Sequence, residues 1–232
     1  LFPYTTLFRS PTFTGTVSVP TPLTSAAAAS KAYVDSQVFA ASFPTGAGSP
    51  SYRNIFVNGY LDFWHSGTPF TTARYCADQF YIQGITNSKV EQVTASSDGN
   101  YDLLWTSTGA SATFNLGQPI ESAEVAKMQG KTFTASFEVQ ATGAAFSGAI
   151  ALSAFGSTVS DAYATVVAET QITQTAITPT GTMTRYSLSF PVGAAFASKG
   201  LVVRVDVPAQ ASGVVLRFRK FMLEEGTAFT SF

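Results

Sequence analysis

Asn54–Phe70, NIFVNGYLDFWHSGTPF, and its late echo Leu216–Phe232, LRFRKFMLEEGTAFTSF, bracket one long, charge-poor segment. Read as the first and last strands of a single domain, the two stretches decide the fold. Between them, apolar and polar residues alternate with the two-residue period of half-buried strands. Ala112, Phe114 and Leu116 alternate with Ser111, Thr113 and Asn115, and Phe133, Ala135, Phe137 and Val139 with Thr132, Thr134, Ser136, Glu138 and Gln140. The same holds for Thr184, Tyr186, Leu188 and Phe190 against Arg185, Ser187 and Ser189. It holds again for Leu201, Val203, Val205 and Val207 against Val202, Arg204 and Asp206. Less regular strands are expected at Phe80–Gln83, Val90–Thr94, Tyr101–Thr106, Gly148–Ala154 and Tyr163–Ala168. About ten strands in roughly 180 residues, punctuated by turn residues, imply two packed antiparallel sheets, an all-β sandwich of the jelly-roll kind. Pro119–Met128 is the one helical turn expected, with Pro119 at its start and Gly130 beyond its end.

The last strand changes parity. Val214, Leu216 and Phe218 share one face, but Phe221 and Leu223 share the other, so a bulge near Arg219-Lys220 is needed to bury both sets.

Composition narrows the partners. Lys plus Arg number 13 and Asp plus Glu 14, for a net charge of -1. No field of one sign exists to gather nucleic acid or an anionic membrane. Charged residues make up 12% of the chain and hydrophobic ones 45%, with a Ser/Thr/Gln/Asn remainder that suits exposed β faces. Cys76 is the single cysteine, so no internal disulfide can form. No apolar run approaches the roughly 20 residues of a membrane helix, and membrane insertion is not expected.

The first 52 residues have a different character. Leu1–Ser10, LFPYTTLFRS, resembles the translation of a short-read sequencing adaptor and is set aside, with the natural chain expected to extend further upstream. Phe13, Gly15, Val17 and Val19 alternate with Thr and Ser as a short strand closed by Pro20 and Pro22. Ser25–Val38 is Ala-rich at helical spacing, and a lone helix of about fourteen residues is marginal in water, so it needs a partner such as copies of itself. Residues 11–42 thus read as a strand-plus-helix segment, 43–52 as a Pro/Gly linker and 53–232 as the sandwich.

PTFTGTVSVPTP followed by Ser30-Lys31-Ala32-Tyr33-Val34-Asp35 resembles the shaft repeat of bacteriophage tail fibres, which implies a homotrimer through the N-terminal segment. The bracket itself has a likeness. Asn54-x-x-x-Asn58-Gly59-x-x-Asp62-x-Trp64, Gly67-Thr68-x-Phe70, Tyr75-x-Ala77-Asp78 and Leu223-Glu224-Glu225-Gly226-Thr227 resemble a domain at the distal end of phage and prophage tail fibres. Where that family has Gln-Arg and Arg-Trp, this chain has His65-Ser66 and Gln79-Phe80. The domain is also similar to jelly-roll carbohydrate-binding modules, whose structural calcium uses a Glu in the position of Asp62 and acids in the last strand. Here Arg219 and Lys220 stand in the last strand, whereas Ca²⁺ wants 6–8 oxygens. No metal or other cofactor is expected, and Asp62 is expected to pair with one of those cations. The resemblance implies a virion component, extracellular when it acts, whose partners are a host cell-surface polysaccharide and other tail proteins.

Catalysis finds little support. His65 is the only histidine and sits in turn-like sequence, Cys76 reads as a small packed hydrophobe, and the scattered carboxylates follow no glycosidase pattern. The expectation is not an enzyme, with a glycan depolymerase the least favoured reading and a purely structural fibre cap the main alternative to glycan binding. For binding, Trp105 and Tyr101 flanked by Asp98, Asn100 and Asp102 offer an aromatic platform with polar neighbours, and Trp64-His65 offers a second. Against both stands the core: Tyr101, Leu103 and Trp105 share a parity, so an inward Leu103 takes the aromatics with it.

Overall fold

The computed structural model describes residues 54–64, 67–94, 100–161 and 169–230. The readings for residues 1–10, 11–42 and 43–52, the strand expected at Tyr163–Ala168, and His65 and Asp98 lie outside these. Eleven strands occur among the described residues: β1 Arg74–Tyr75, β2 Tyr81–Gln83, β3 Ser88–Thr94, β4 Tyr101–Ser107, β5 Phe114–Ile120, β6 Thr132–Gly143, β7 Ile150–Ser157, β8 Glu169–Ile177, β9 Thr184–Pro191, β10 Leu201–Val207 and β11 Val214–Glu225. Two short helices, α1 (Ser122–Met128) and α2 (Ala194–Ala197), complete the set.

All pairings between strands are antiparallel, in a six-stranded sheet ordered β1-β2-β5-β10-β7-β8 and a five-stranded sheet ordered β3-β4-β11-β6-β9. The result is the jelly-roll sandwich expected from the alternation. Leu201, Val203, Val205 and Val207 of β10 and Phe133, Ala135, Phe137 and Val139 of β6 are all buried, so the two-residue period does place the core faces. Trp105 stacks on Phe114 across the sandwich at 5.6 Å between ring centres. Phe56, Phe80, Phe221 and Phe137 form a continuous aromatic run, with centroid separations of 5.9, 5.0 and 5.3 Å.

Three elements depart from the sequence reading. Pro119 belongs to β5, and the helix starts after Glu121 instead, its first turn held by Asp161, which accepts from Ser122 N at 2.7 Å and Ser122 Oγ at 2.8 Å. Strand β8, ETQITQTAI, carries only two large apolar residues, Ile172 and Ile177, because an edge strand need bury little. Its polar pattern hid it.

The third departure is the opening bracket. The described residues of this stretch, 54–64 and 67–70, form no strand; they make a strap of turns with isolated bridges from Trp64 to Ala77 and from Phe70 to Val90. Local side-chain bonds outcompete a ladder there. Asn58 Oδ1 accepts from the backbone N–H of Asp62 (2.9 Å) and Phe63 (3.2 Å) while its Nδ2 donates to Phe63 O at 3.0 Å. Asn58 and Leu61 sit at φ 58° and 62°, and the first suits Asn better than most residues.

The strap nonetheless meets the last strand as the bracket implied. The register of β11 on β6 shifts between Arg219 and Met222, with Lys220 at φ 52°, which is the expected bulge. A bulge removes backbone groups from the ladder, and the strap takes them up. Phe221 N donates to Gly59 O and Asn54 Nδ2 donates to Phe221 O, both at 2.8 Å, while Asn54 Oδ1 accepts from Leu223 N at 2.9 Å and Phe56 N at 3.1 Å. Gly59 is required because a Cβ there would run into the Phe221 carbonyl. On its other side the strap is gripped by Gln118 of β5, whose buried amide donates to Val57 O and accepts from Val57 N, both at 2.8 Å.

Candidate functional site

The two sheets turn very different outer faces to the surroundings. On the five-stranded sheet, Glu138 of β6 lies between Arg219 of β11 and Arg185 of β9, with Arg219 Nε at 2.6 Å from Glu138 Oε2 and Arg185 Nη1 at 3.6 Å from Glu138 Oε1. Arg185 also donates to Ser136 Oγ at 2.8 Å, and burial lowers its pKa against the pull of Glu138 and Glu224 in the opposite direction. Asp102, 1% exposed, lies 3.3 Å from Arg217 Nε. Glu224 accepts from Thr230 N (2.6 Å) and Thr230 Oγ1 (2.9 Å), and Thr134 Oγ1 donates to Gly226 O at 2.8 Å, so the segment after β11 is tied down over this face. Most of the charged groups here are paired, although the buried Arg217 Nε reaches Asp102 as a 3.3 Å ion-pair contact without a hydrogen bond.

The six-stranded sheet is organised otherwise. Its register aligns Tyr75, Tyr81, Gly117, Arg204, Ser153 and Gln174 in one row across all six strands. At about 4.8 Å per strand spacing the row runs about 24 Å. The neighbouring row is Gln83, Asn115, Asp206, Ala151 and Ala176, and on the other side lie Pro119, Val202, Phe155 and Gln171. Tyr75 is 50% exposed and meets Tyr81 edge-on at 5.1 Å. Partial burial, then the proximity of Tyr81, raise the Tyr75 pKa, so its hydroxyl stays protonated throughout the physiological range. Arg204 stacks over the Phe155 ring, 4.2 Å from its centre, and its Nε lies 2.6 Å from Asp206 Oδ1, which also accepts from Asn115 Nδ2. Gly117 contributes no side chain between Tyr81 and Arg204. Ser153 is buried with its hydroxyl unpartnered, and the amides of Gln83 and Gln174 make no side-chain hydrogen bond among the described residues. A half-exposed tyrosine set against a partly buried one, beside amides, a carboxylate and a planar guanidinium, can take a sugar ring on its apolar face and bond its hydroxyls.

The residues singled out from sequence are not gathered here. Trp105 is fully buried against Phe114 and cannot offer its face to a ligand. Asp102 points to the opposite side of β4 from Trp105, into the ion pair with Arg217. Tyr101, 38% exposed, and Asn100 stand at the start of β4 on the rim of the five-stranded sheet. Trp64 is half-buried, stacked on Phe70 at 5.7 Å, with its Nε1 donating to Leu61 O at 2.5 Å. The ion pair expected for Asp62 is not present among the described residues: Arg219 is drawn to Glu138, its cross-strand neighbour, and Asp62 faces Gln92, whose Nε2 donates to its backbone carbonyl at 3.3 Å. Among the described residues no group of three His, Cys, Asp or Glu side chains is placed to hold a metal ion.

A cleft of about 540 Å³ lies elsewhere, between α1 and the end of β11, lined by Ile55, Met128, Phe133 and four charged residues. Those charges pair off, Lys127 with Glu124 at 2.6 Å and Lys131 with Glu225 at 2.7 Å, and Phe133 is 2% exposed. The cleft therefore offers no aromatic face, and the six-stranded sheet is the stronger site.

No protein-family model matches the sequence, and no curated protein matches it either. Solved structures do share the architecture. A family 4 carbohydrate-binding module aligns over 73% of this chain and 99% of its own, with 14% identity and a TM-score of 0.48. The enzymatically active domain of tailspike protein 4 of bacteriophage CBA120 aligns over 75% of this chain and 22% of its own, at 13% identity and TM-score 0.46. A cyclase from Fischerella sp. TAU aligns over 77% and 98%, at 10% identity and TM-score 0.50. At such identities the likeness extends to the fold alone.

Proposed function

We propose that this domain binds a host cell-surface glycan through the outer face of its six-stranded sheet, as the receptor-binding end of a phage tail fibre, and that it is not an enzyme. The observation that carries the binding reading is the half-exposed Tyr75 set edge-on to Tyr81 beside the polar row Gln83, Asn115 and Asp206. The fibre reading is supported by the sequence motifs of residues 11–37 and of the bracket. They also support a homotrimer joined through the N-terminal segment, a virion location and contact with other tail proteins.

The test is retention of the full chain on an array of host surface polysaccharides, with Tyr75→Ala alongside. Binding that Tyr75→Ala weakens about tenfold or more sustains the reading, since one sugar-stacking contact is worth roughly that much. Binding lost in Tyr101→Ala and kept in Tyr75→Ala moves the site to the start of β4, beside Asn100. No retention on any glycan favours a purely structural fibre cap. Light scattering of the chain from Pro11 onward is expected to give a trimer, and a stable monomer would overturn that part.

A further inference from the structure

We propose that Phe63 is a second stacking residue for the glycan, and that the site runs off the sheet edge at Tyr75 onto the strap, so that the domain grips a chain of several linked sugars. The inference rests on the glycan reading above and extends it.

Exposed large hydrophobic side chains are not spread evenly over the surface. Seven occur among the described residues, and four of them, Val57, Tyr60, Phe63 and Tyr75, fall in the strap and in the β1–β2 hairpin that follows it. Apolar residues exposed singly are ordinary, whereas several brought together mark a contact surface. The backbone brings these together. Phe63 O accepts from Asp78 N at 2.9 Å, and Trp64 bridges to Ala77, so the strap runs antiparallel beside the turn that joins β1 to β2. Tyr75 lies three residues before Asp78, which leaves the Cα atoms of Phe63 and Tyr75 no more than about 16 Å apart.

Phe63 is the most exposed of the seven, at 67%. Its neighbours turn the other way: Leu61 is fully buried and Trp64 stacks on Phe70. The Phe63 backbone is nonetheless fixed. Its N–H donates to Asn58 Oδ1 at 3.2 Å, and its carbonyl takes Asn58 Nδ2 at 3.0 Å as well as Asp78 N. An aromatic ring presented from a held backbone loses little freedom when it stacks on a ligand.

The two stacking places also define the ligand. Tyr75 and Tyr81, 5.1 Å between ring centres, make one aromatic patch, and Phe63 stands on the other side of the hairpin turn from it. A ligand that covers both crosses the edge of the hairpin, which a chain of several sugars does and one ring does not. Once one sugar is stacked on Tyr75, the next contact is intramolecular and adds affinity without a second cost of association. Affinity therefore climbs with chain length.

The experiment titrates the full chain, Phe63→Ala, Phe63→Tyr and Tyr75→Ala with the disaccharides, tetrasaccharides and hexasaccharides of β-1,4-linked galactose, glucose and mannose. Melting temperature and light-scattering mass are recorded alongside. The expected result is one ladder bound by the wild type at least tenfold more tightly as hexasaccharide than as disaccharide. Phe63→Ala removes that gain at wild-type melting temperature, Phe63→Tyr keeps it, and Tyr75→Ala weakens every length. Unchanged hexasaccharide affinity in Phe63→Ala, with loss in Tyr75→Ala, overturns the extension and leaves the sheet-face platform standing. A lower light-scattering mass in Phe63→Ala, with sugar affinity intact, gives Phe63 to a contact between copies of the chain and overturns the proposal. A wild type that binds none of the ladders overturns the platform and its extension together.

Discussion

The outer faces of the two sheets differ in charge: the five-stranded face carries Glu138, Arg185, Arg219, Asp102, Arg217 and Glu224, and the three central rows of the six-stranded face carry only the Arg204–Asp206 pair. On the five-stranded face, Glu138 serves both Arg185 and Arg219, Asp102 serves Arg217, and Glu224 holds Thr230. On the six-stranded face, Tyr75, Gln83, Ser153 and Gln174 keep ring faces, amides or a hydroxyl uncommitted. A polar group already paired within the fold has little to gain from a ligand.

That contrast can be broken or sharpened by experiment, the largest effect first. Trp105→Ala removes a fully buried indole and is expected to destabilise the domain by about 3–5 kcal/mol in urea unfolding; a near-neutral result with lost glycan binding would return Trp105 to the role of a platform. Asn54→Ala strips three hydrogen bonds from the strap and the β11 bulge, for a loss of about 2–4 kcal/mol. Glu138→Gln leaves Arg185 and Arg219 half-desolvated without their carboxylate. It is expected to destabilise by roughly 2–3 kcal/mol while any glycan affinity holds, which separates this face from the proposed binding face.

Next comes the thiol of Cys76. Burial pushes its pKa from 9.0 up to about 12, so the folded state holds the proton more tightly than the unfolded state. Stability is therefore fully present below pH 9 and falls by about 1.4 kcal/mol per pH unit as pH rises from 9 toward 12. Cys76→Val should flatten that limb of the pH profile, and the native thiol should resist alkylation at pH 8. Smallest in stability is Tyr75→Ala, expected to shift unfolding by less than about 1 kcal/mol because the ring is half in solvent, although binding falls tenfold.

Much of the fold could be read from side-chain parity. The core residues of β6, β9 and β10, the inward turn of Trp105 and the bulge in β11 all followed from a two-residue period and its one interruption. The strap did not, because Asn58 diverts an otherwise strand-like run into turns through bonds that a hydropathy pattern does not register. The site was legible only in pieces. Arg204, Asp206 and Asn115 were recognisable as outward residues, yet what makes them a site is the register that brings Tyr75 and Tyr81 from one part of the chain beside Gly117, Arg204 and Ser153 from others. Register is a long-range property, fixed by how five separate strands slide against each other.

The strap has a mechanical consequence. Asn54 fastens it to β11 in one sheet, and Gln118 fastens it to β5 in the other. Tension transmitted along the chain into Asn54 is divided between both layers of the sandwich within the first four residues, so no single strand bears the load. A domain fastened in this way resists unzipping when it is pulled at its first described residues.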